Sequence, residues 1–140
     1  SPAYQKSMMK NHIYLHENSE RIFASNHRLI DNKELDASTR EMHELSDLLN
    51  EELEDLVDWI LTEETTNNMA SRIRAFDQKV GNYNLSIQKL NVPELSSIEK
   101  EPLANLDKVN MDVAMNVLAR IQQQVAINEN TFIMSTLIGQ

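Results

Sequence analysis

"MASRIRAFDQKVGNYNLSIQKL", residues 69–90, places apolar side chains at Met69, Ile73, Phe76, Val80, Tyr83, Ile87 and Leu90. The intervals alternate four and three without a break. A helix turning once per 3.6 residues gathers those positions onto one stripe, whereas a strand would scatter them over both faces. The stretch therefore predicts a helix packed through a heptad-like seam. It begins near Asn67 or Asn68, either of which can cap it, and ends before Asn91-Val92-Pro93. Gly81 lies inside it, at a cost of about 1 kcal/mol against alanine.

The same period extends outward in both directions. A preceding helix opens at Ser38, with Glu41 completing a capping box, and carries Met42, Leu45, Leu49, Leu53, Leu56 and Ile60 inward. It ends in the polar stretch Thr62 to Asn68. The first helix has two adjacent seams at intervals of seven: Met8, Leu15, Ile22, Leu29 and Met9, His16, Phe23, Ile30. Together they make the wide stripe of a helix that touches more than one partner. It stops near Ile30, before a loop from Asp31 to Ala37. The last helix starts at Pro102, since proline suits the first helical position, and meets no breaker before Ile138. That length is about 55 Å. Its seam is Met111, Ala114, Leu118, Ile121, Val125, Asn128 and Phe132, widened by Leu106, Val113 and Val117.

Four helices with short connections predict an all-α fold over residues 1–140: an antiparallel up-down-up-down four-helix bundle with long first and last helices. The first and last helices then lie side by side, with both chain ends at one pole. Composition agrees with long helices, because only 2 glycines and 3 prolines occur in 140 residues. A hydrophobic content of 41% is enough for a packed core. The net charge of −9 argues against nucleic acid and against an anionic membrane surface. With no cysteine, disulfides and thiolate metal sites are excluded. No run reaches the length of a membrane span, and a start at Ser1 implies a chain cut from a longer one.

The C-terminal stretch "NENTFIMSTLIGQ" holds no charge after Glu129. Two readings stand side by side. In one, a helix end packs against the equally uncharged start, "SPAY". In the other, both ends run toward a membrane.

This layout resembles the four-helix-bundle extracytoplasmic sensor domain of bacterial chemoreceptors and membrane histidine kinases. The resemblance rests on the first-helix seam through Met8, Leu15, Ile22 and Leu29 and on the last seam ending at Phe132. It implies a non-catalytic ligand-binding domain of a transmembrane signalling receptor, periplasmic, on an inner-membrane protein with membrane segments flanking the chain. It further implies a homodimer packed through the first helices, here Met8, Met9, Leu15, His16, Ile22 and Phe23, and a small ligand held near the distal pole. In an up-down-up-down bundle the basic groups there are Arg28, Lys33, Lys89 and Lys100, which an anionic ligand would use; such residues at helix ends also serve simply as dipole partners. The alternative is a helical structural or interaction subunit of a secretion or surface assembly, whose apolar end docks into a partner.

An enzyme is disfavoured, because Gly-rich loops and nucleophile motifs are lacking. His12, His16 and Glu20 share a helix face, with His27 close to it, and that set is one a borderline metal uses. His16 also occupies an apolar seam, where a hydrogen-bonded core histidine is the ordinary case, so no metal and no cofactor is expected. His43, between Glu41 and Glu44, reads as solvated. The acidic second helix reads as a solvated face, with Trp59 at the edge of the core.

Overall fold

The computed structural model describes residues 2–31, 36–62 and 68–138, with the backbone alone at 2, 4–9, 137 and 138. The described chain is all-helical: α1 (Pro2–Asp31), α2 (Ala37–Thr62), α3 (Met69–Lys89), a 3-10 segment (Glu101–Lys108) and α4 (Met111–Ile138). Among the described residues none forms a strand, and no helix is long and apolar enough to cross a membrane.

The α3 seam is as its spacing predicts. Ile73, Phe76, Val80, Tyr83 and Ile87 are buried, and Met69 and Leu90 pack against the same core. The helix ends where Asn91 adopts φ 57°, a left-handed conformation that asparagine tolerates better than most residues. Gly81 leaves room for the Lys100 side chain, whose Nζ would stand 3.2 Å from an added Cβ on its way to Asp77. In α2 the inward line is Thr39, Met42, Ser46, Leu49, Leu53, Leu56 and Ile60. Buried Ser46 replaces Leu45 on that line and satisfies its hydroxyl on the Met42 carbonyl, 2.8 Å away. The α2 cap is Asp36 rather than Ser38, its carboxylate accepting the Thr39 N–H at 2.7 Å. Hydrogen bonds from Thr39 hold the Asp36 carboxyl below its ordinary value. Trp59 lies at the edge of the core with the Arg72 guanidinium 5.1 Å above its ring.

The last helix differs from expectation. It starts at Met111, where Asn110 accepts the Val113 N–H at 2.9 Å, and not at Pro102. Pro102 opens a 3-10 segment that Asn105 interrupts with a non-helical backbone (φ −121°, ψ 16°). Met111 is consequently exposed rather than part of the seam, whereas Ala114, Leu118, Ile121, Val125, Asn128 and Phe132 are buried as expected.

Helix directions follow from which residues meet. Glu52 pairs with Lys79 and Trp59 with Arg72, so α2 and α3 are antiparallel. His43 meets Glu129 and Asn50 meets Gln122, so α2 and α4 are antiparallel. Between α1 and α4 the contacts rise together: Asn11 to Asn116, His16 to Gln122, Asn26 to Glu129. These two helices are parallel. The expected antiparallel first and last helices, with both ends at one pole, are therefore corrected. The cause is the segment from Val92 to Asn110, which descends alongside α3 without forming a fourth antiparallel α-helix. Asn84 holds it by two bonds to Ile98, and Lys100 reaches Asp77 at 3.1 Å. On its other side Asn128 accepts the Ser96 N–H and donates to the Ser96 carbonyl and the Tyr83 hydroxyl. Burial lifts the Tyr83 phenol to about 12, so it stays protonated.

The uncharged C-terminal stretch is explained in the same way. Phe132 and Ile133 are buried and Asn130 donates to Asn26 of α1. The end of α4 thus lies beside the end of α1.

Two outcomes are expected. Spin labels on cysteines placed at exposed Ala3 and Met134, in a chain with no cysteine of its own, should report about 40 Å from helical rise along the parallel pair. Ends at one pole would bring them within about 20 Å, a couple of interhelical spacings. Asn128→Leu should lower stability by about 1–3 kcal/mol in urea unfolding, because Tyr83 and the Ser96 backbone lose their shared partner.

Candidate functional site

α4 carries buried residues in adjacent pairs, among them Leu118 and Ala119, Ile121 and Gln122, Val125 and Ala126, Asn128 and Glu129, Phe132 and Ile133. Leu118, Ile121, Val125 and Phe132 join the main core, while Gln122, Ala126 and Glu129 make hydrogen bonds with α1. Toward α1 the sequence thus supplies Gln122 and Glu129, and neither can be buried without hydrogen bonds. α1 answers with polar residues of its own. Its buried line is Leu15, Ser19, Phe23, Asn26 and Ile30, which takes Leu15 from one expected seam and Phe23 and Ile30 from the other, with polar Ser19 and Asn26 between them.

Glu129, with none of its surface exposed, is the centre of the site. Its Oε1 accepts from Asn26 Nδ2 at 3.0 Å, and its Oε2 lies 2.9 Å from His43 Nδ1. Asn26 in turn accepts from Asn130 at 3.0 Å and donates to the Ala126 carbonyl at 3.1 Å. Burial pushes the Glu129 carboxyl up from its ordinary value; the bonds from His43 and Asn26 pull it partly back. The other nitrogen of His43, Nε2, is 3.2 Å from Asp47 Oδ2, one turn along α2. Asp47 Oδ1 is 3.9 Å from His27 Nε2 on α1. The two imidazoles meet edge to face with centroids 4.9 Å apart. Donor atoms of His27, His43 and Asp47 all lie within 4.8 Å of one another.

His43 was expected to be solvated; it is instead largely covered, because α4 brings Glu129 to its inner nitrogen. His27 leaves the His12–His16 group and joins His43, since it stands about 16 Å further along α1. His16 bridges Gln122 at 2.9 Å and Glu20 at 3.1 Å, the hydrogen-bonded role expected of it. Gln122 also donates to Asn50 at 2.8 Å. His12 stacks on His16 at 6.5 Å over a groove of about 350 Å³ that Glu54, Asp58 and Leu61 of α2 close from the other side. The His12 Nδ1 is buried there without a partner. Burial, and secondarily His16, lower the His12 pKa, while a hydrogen bond with the Met115 backbone and the charge of Asp112 oppose them.

The basic residues expected to hold an anion have the following places in the described chain. Lys100 is paired with Asp77, Arg28 and Lys89 are exposed near the ends of separate helices, and Lys33 lies outside the described residues. A cavity of about 440 Å³ opens between residues 96–102 and α4, and Arg120 lines it with Ser97, Pro102 and Gln124. Of the expected dimer residues, Leu15 and Phe23 are buried within the chain, Ile22 is packed against the core, and the side chains of Met8 and Met9 lie outside the described residues. Glu129, Asn26 and Asp47 were missed as site residues; the one available signal was a lone charge, Glu129, within an otherwise uncharged stretch of α4. Compared with known proteins, the chain matches no family model, no curated protein and no solved structure.

The depressed His12 pKa fixes a sign. An imidazole whose folded pKa is lowered contributes stability that is present above its ordinary 6.5 and is lost as pH falls through the folded value. Relative to His12→Gln, the wild-type chain should hold its full margin near pH 8 and lose it progressively below about pH 6.5. Urea midpoints of the two proteins across that range check this; a constant difference would contradict it.

Proposed function

We propose that this chain is a non-catalytic helical interaction subunit, and that its first partner is a second copy of itself. The observation carrying this reading is how α1 is held. Among the described residues α4 is its only close neighbour at the backbone level, and several of its contacts there are polar. Its outward face carries Ile13 and Tyr14, 48% and 64% exposed. Adjacent apolar groups on a helix with one neighbour are what a partner helix covers. In this reading the homodimer uses Ile13 and Tyr14, while Leu15 and Phe23 serve the chain's own core. The four long helices form a bundle whose last connection is a long crossover, which is how such bundles make neighbouring helices parallel.

The extracytoplasmic receptor sensor is the second reading. Its support is the uncharged stretch 130–140 with exposed Met134, and the cavity beside Arg120 as a place for a small ligand. The parallel α1–α4 contacts weigh against it, because a two-span receptor needs both ends of its sensor at one membrane face.

Sedimentation equilibrium tests the first reading. The wild-type chain is expected to dimerise, and Ile13→Glu with Tyr14→Glu to be monomeric with unchanged helical circular dichroism. A wild-type chain that stays monomeric at about 100 µM, a concentration that would populate even weak specific dimers, rules the self-partner out.

A further inference from the structure

We propose that His27, His43 and Asp47 form a binding site for a borderline divalent transition-metal ion such as zinc, with Glu129 as the positioning residue for His43. Nothing in the interaction reading requires this; it stands on the donor geometry alone. Ligand bonds of about 2.0–2.2 Å to nitrogen and carboxylate oxygen put neighbouring donors of a tetrahedral site about 3.3 Å apart. His43 Nε2 stands 3.2 Å from Asp47 Oδ2 and His27 Nε2 stands 3.9 Å from Asp47 Oδ1, and one donor atom from each residue lies within 4.8 Å of the others. The remaining closure falls to His27, an exposed side chain that is able to rotate.

The arrangement behind the ligands is one that orients a metal-bound imidazole. With a metal on Nε2, His43 keeps its Nδ1–H for the Glu129 carboxylate, whose Oε2 is 2.9 Å away. A metal-bound imidazole donating its other N–H to a buried carboxylate is the usual means of fixing the ligating tautomer and ring angle. Here that carboxylate is itself held by Asn26, and Asn26 by Asn130. Imidazole with one carboxylate and no thiolate favours zinc, nickel, cobalt or copper over calcium and magnesium, which prefer all-oxygen sites. With three ligands from the protein, water completes the sphere. In the His12–His16–Glu20 group the inner nitrogen of His16 meets the Gln122 amide instead of a carboxylate.

Titrating the chelator-stripped chain of residues 1–140 with Zn²⁺ by calorimetry tests the site, with Co²⁺ absorption as the coordination readout. The expected result is saturable one-to-one binding with the intense visible bands of four-coordinate cobalt. His27→Gln, an exposed change that leaves the fold alone, and Asp47→Asn should each abolish it. Glu129→Gln should weaken affinity by roughly 10–100-fold while leaving stoichiometry intact, the effect of losing an orienting partner. His16→Gln should leave binding unchanged. Absence of saturable binding, or binding that survives His27→Gln and disappears with His16→Gln, overturns the proposal.

Discussion

Gln122, Asn128 and Glu129 are almost wholly buried on one helix, and a buried amide or carboxylate without partners costs several kcal/mol. The fold is arranged around meeting that requirement. Gln122 takes partners from α1 and α2, Asn128 from α3 and the segment leading down to α4, and Glu129 from α1 and α2 again. Apolar side chains would let these elements slide by a turn at modest cost. Directional bonds do not, so the polar residues set the register while Leu118, Val125 and Phe132 supply the burial.

The parallel course of α1 and α4 follows from the same bonds. Bringing Asn26 to Glu129 and Asn11 to Asn116 in one register fixes both position and direction. The chain must then return from the end of α3 to the opposite pole before α4 begins. Residues 91–110 make that journey, started by the left-handed Asn91, bonded on the way by Asn84 and Asn128, and stopped by the Asn110 cap. Asparagine recurs at each of these points because its short amide both bonds backbone groups and tolerates turn conformations.

α1 meets α2 through side chains, and the histidine pair is where it does so. The net charge of −9 gives the surrounding surface a field that attracts cations. A cation held by His27 and Asp47 would tie α1 to α2 directly, a link that the backbone packing leaves out.

The seams of α2 and α3, the edge position of Trp59 and the buried line of α4 from Ala114 to Phe132 were all legible in the sequence, because helical period and apolar burial are local properties of the chain. The start of α4 was legible in principle from Asn110 and Asp112, although Pro102 offered an earlier start that the 3-10 turn and Asn105 took instead. Helix direction was not legible. A heptad seam has the same pattern whichever way its partner runs, so only the cross-helix bonds distinguish parallel from antiparallel. The site was hidden for a related reason. His43 between two glutamates and Glu129 between two asparagines both read as ordinary polar positions. Their contact, 86 residues apart in the chain, exists only because α4 passes α2 in one register. The sequence alone determined which residues become helix and which apolar faces turn inward; the tertiary structure decided which polar groups meet, because burial has no direction and hydrogen bonds do.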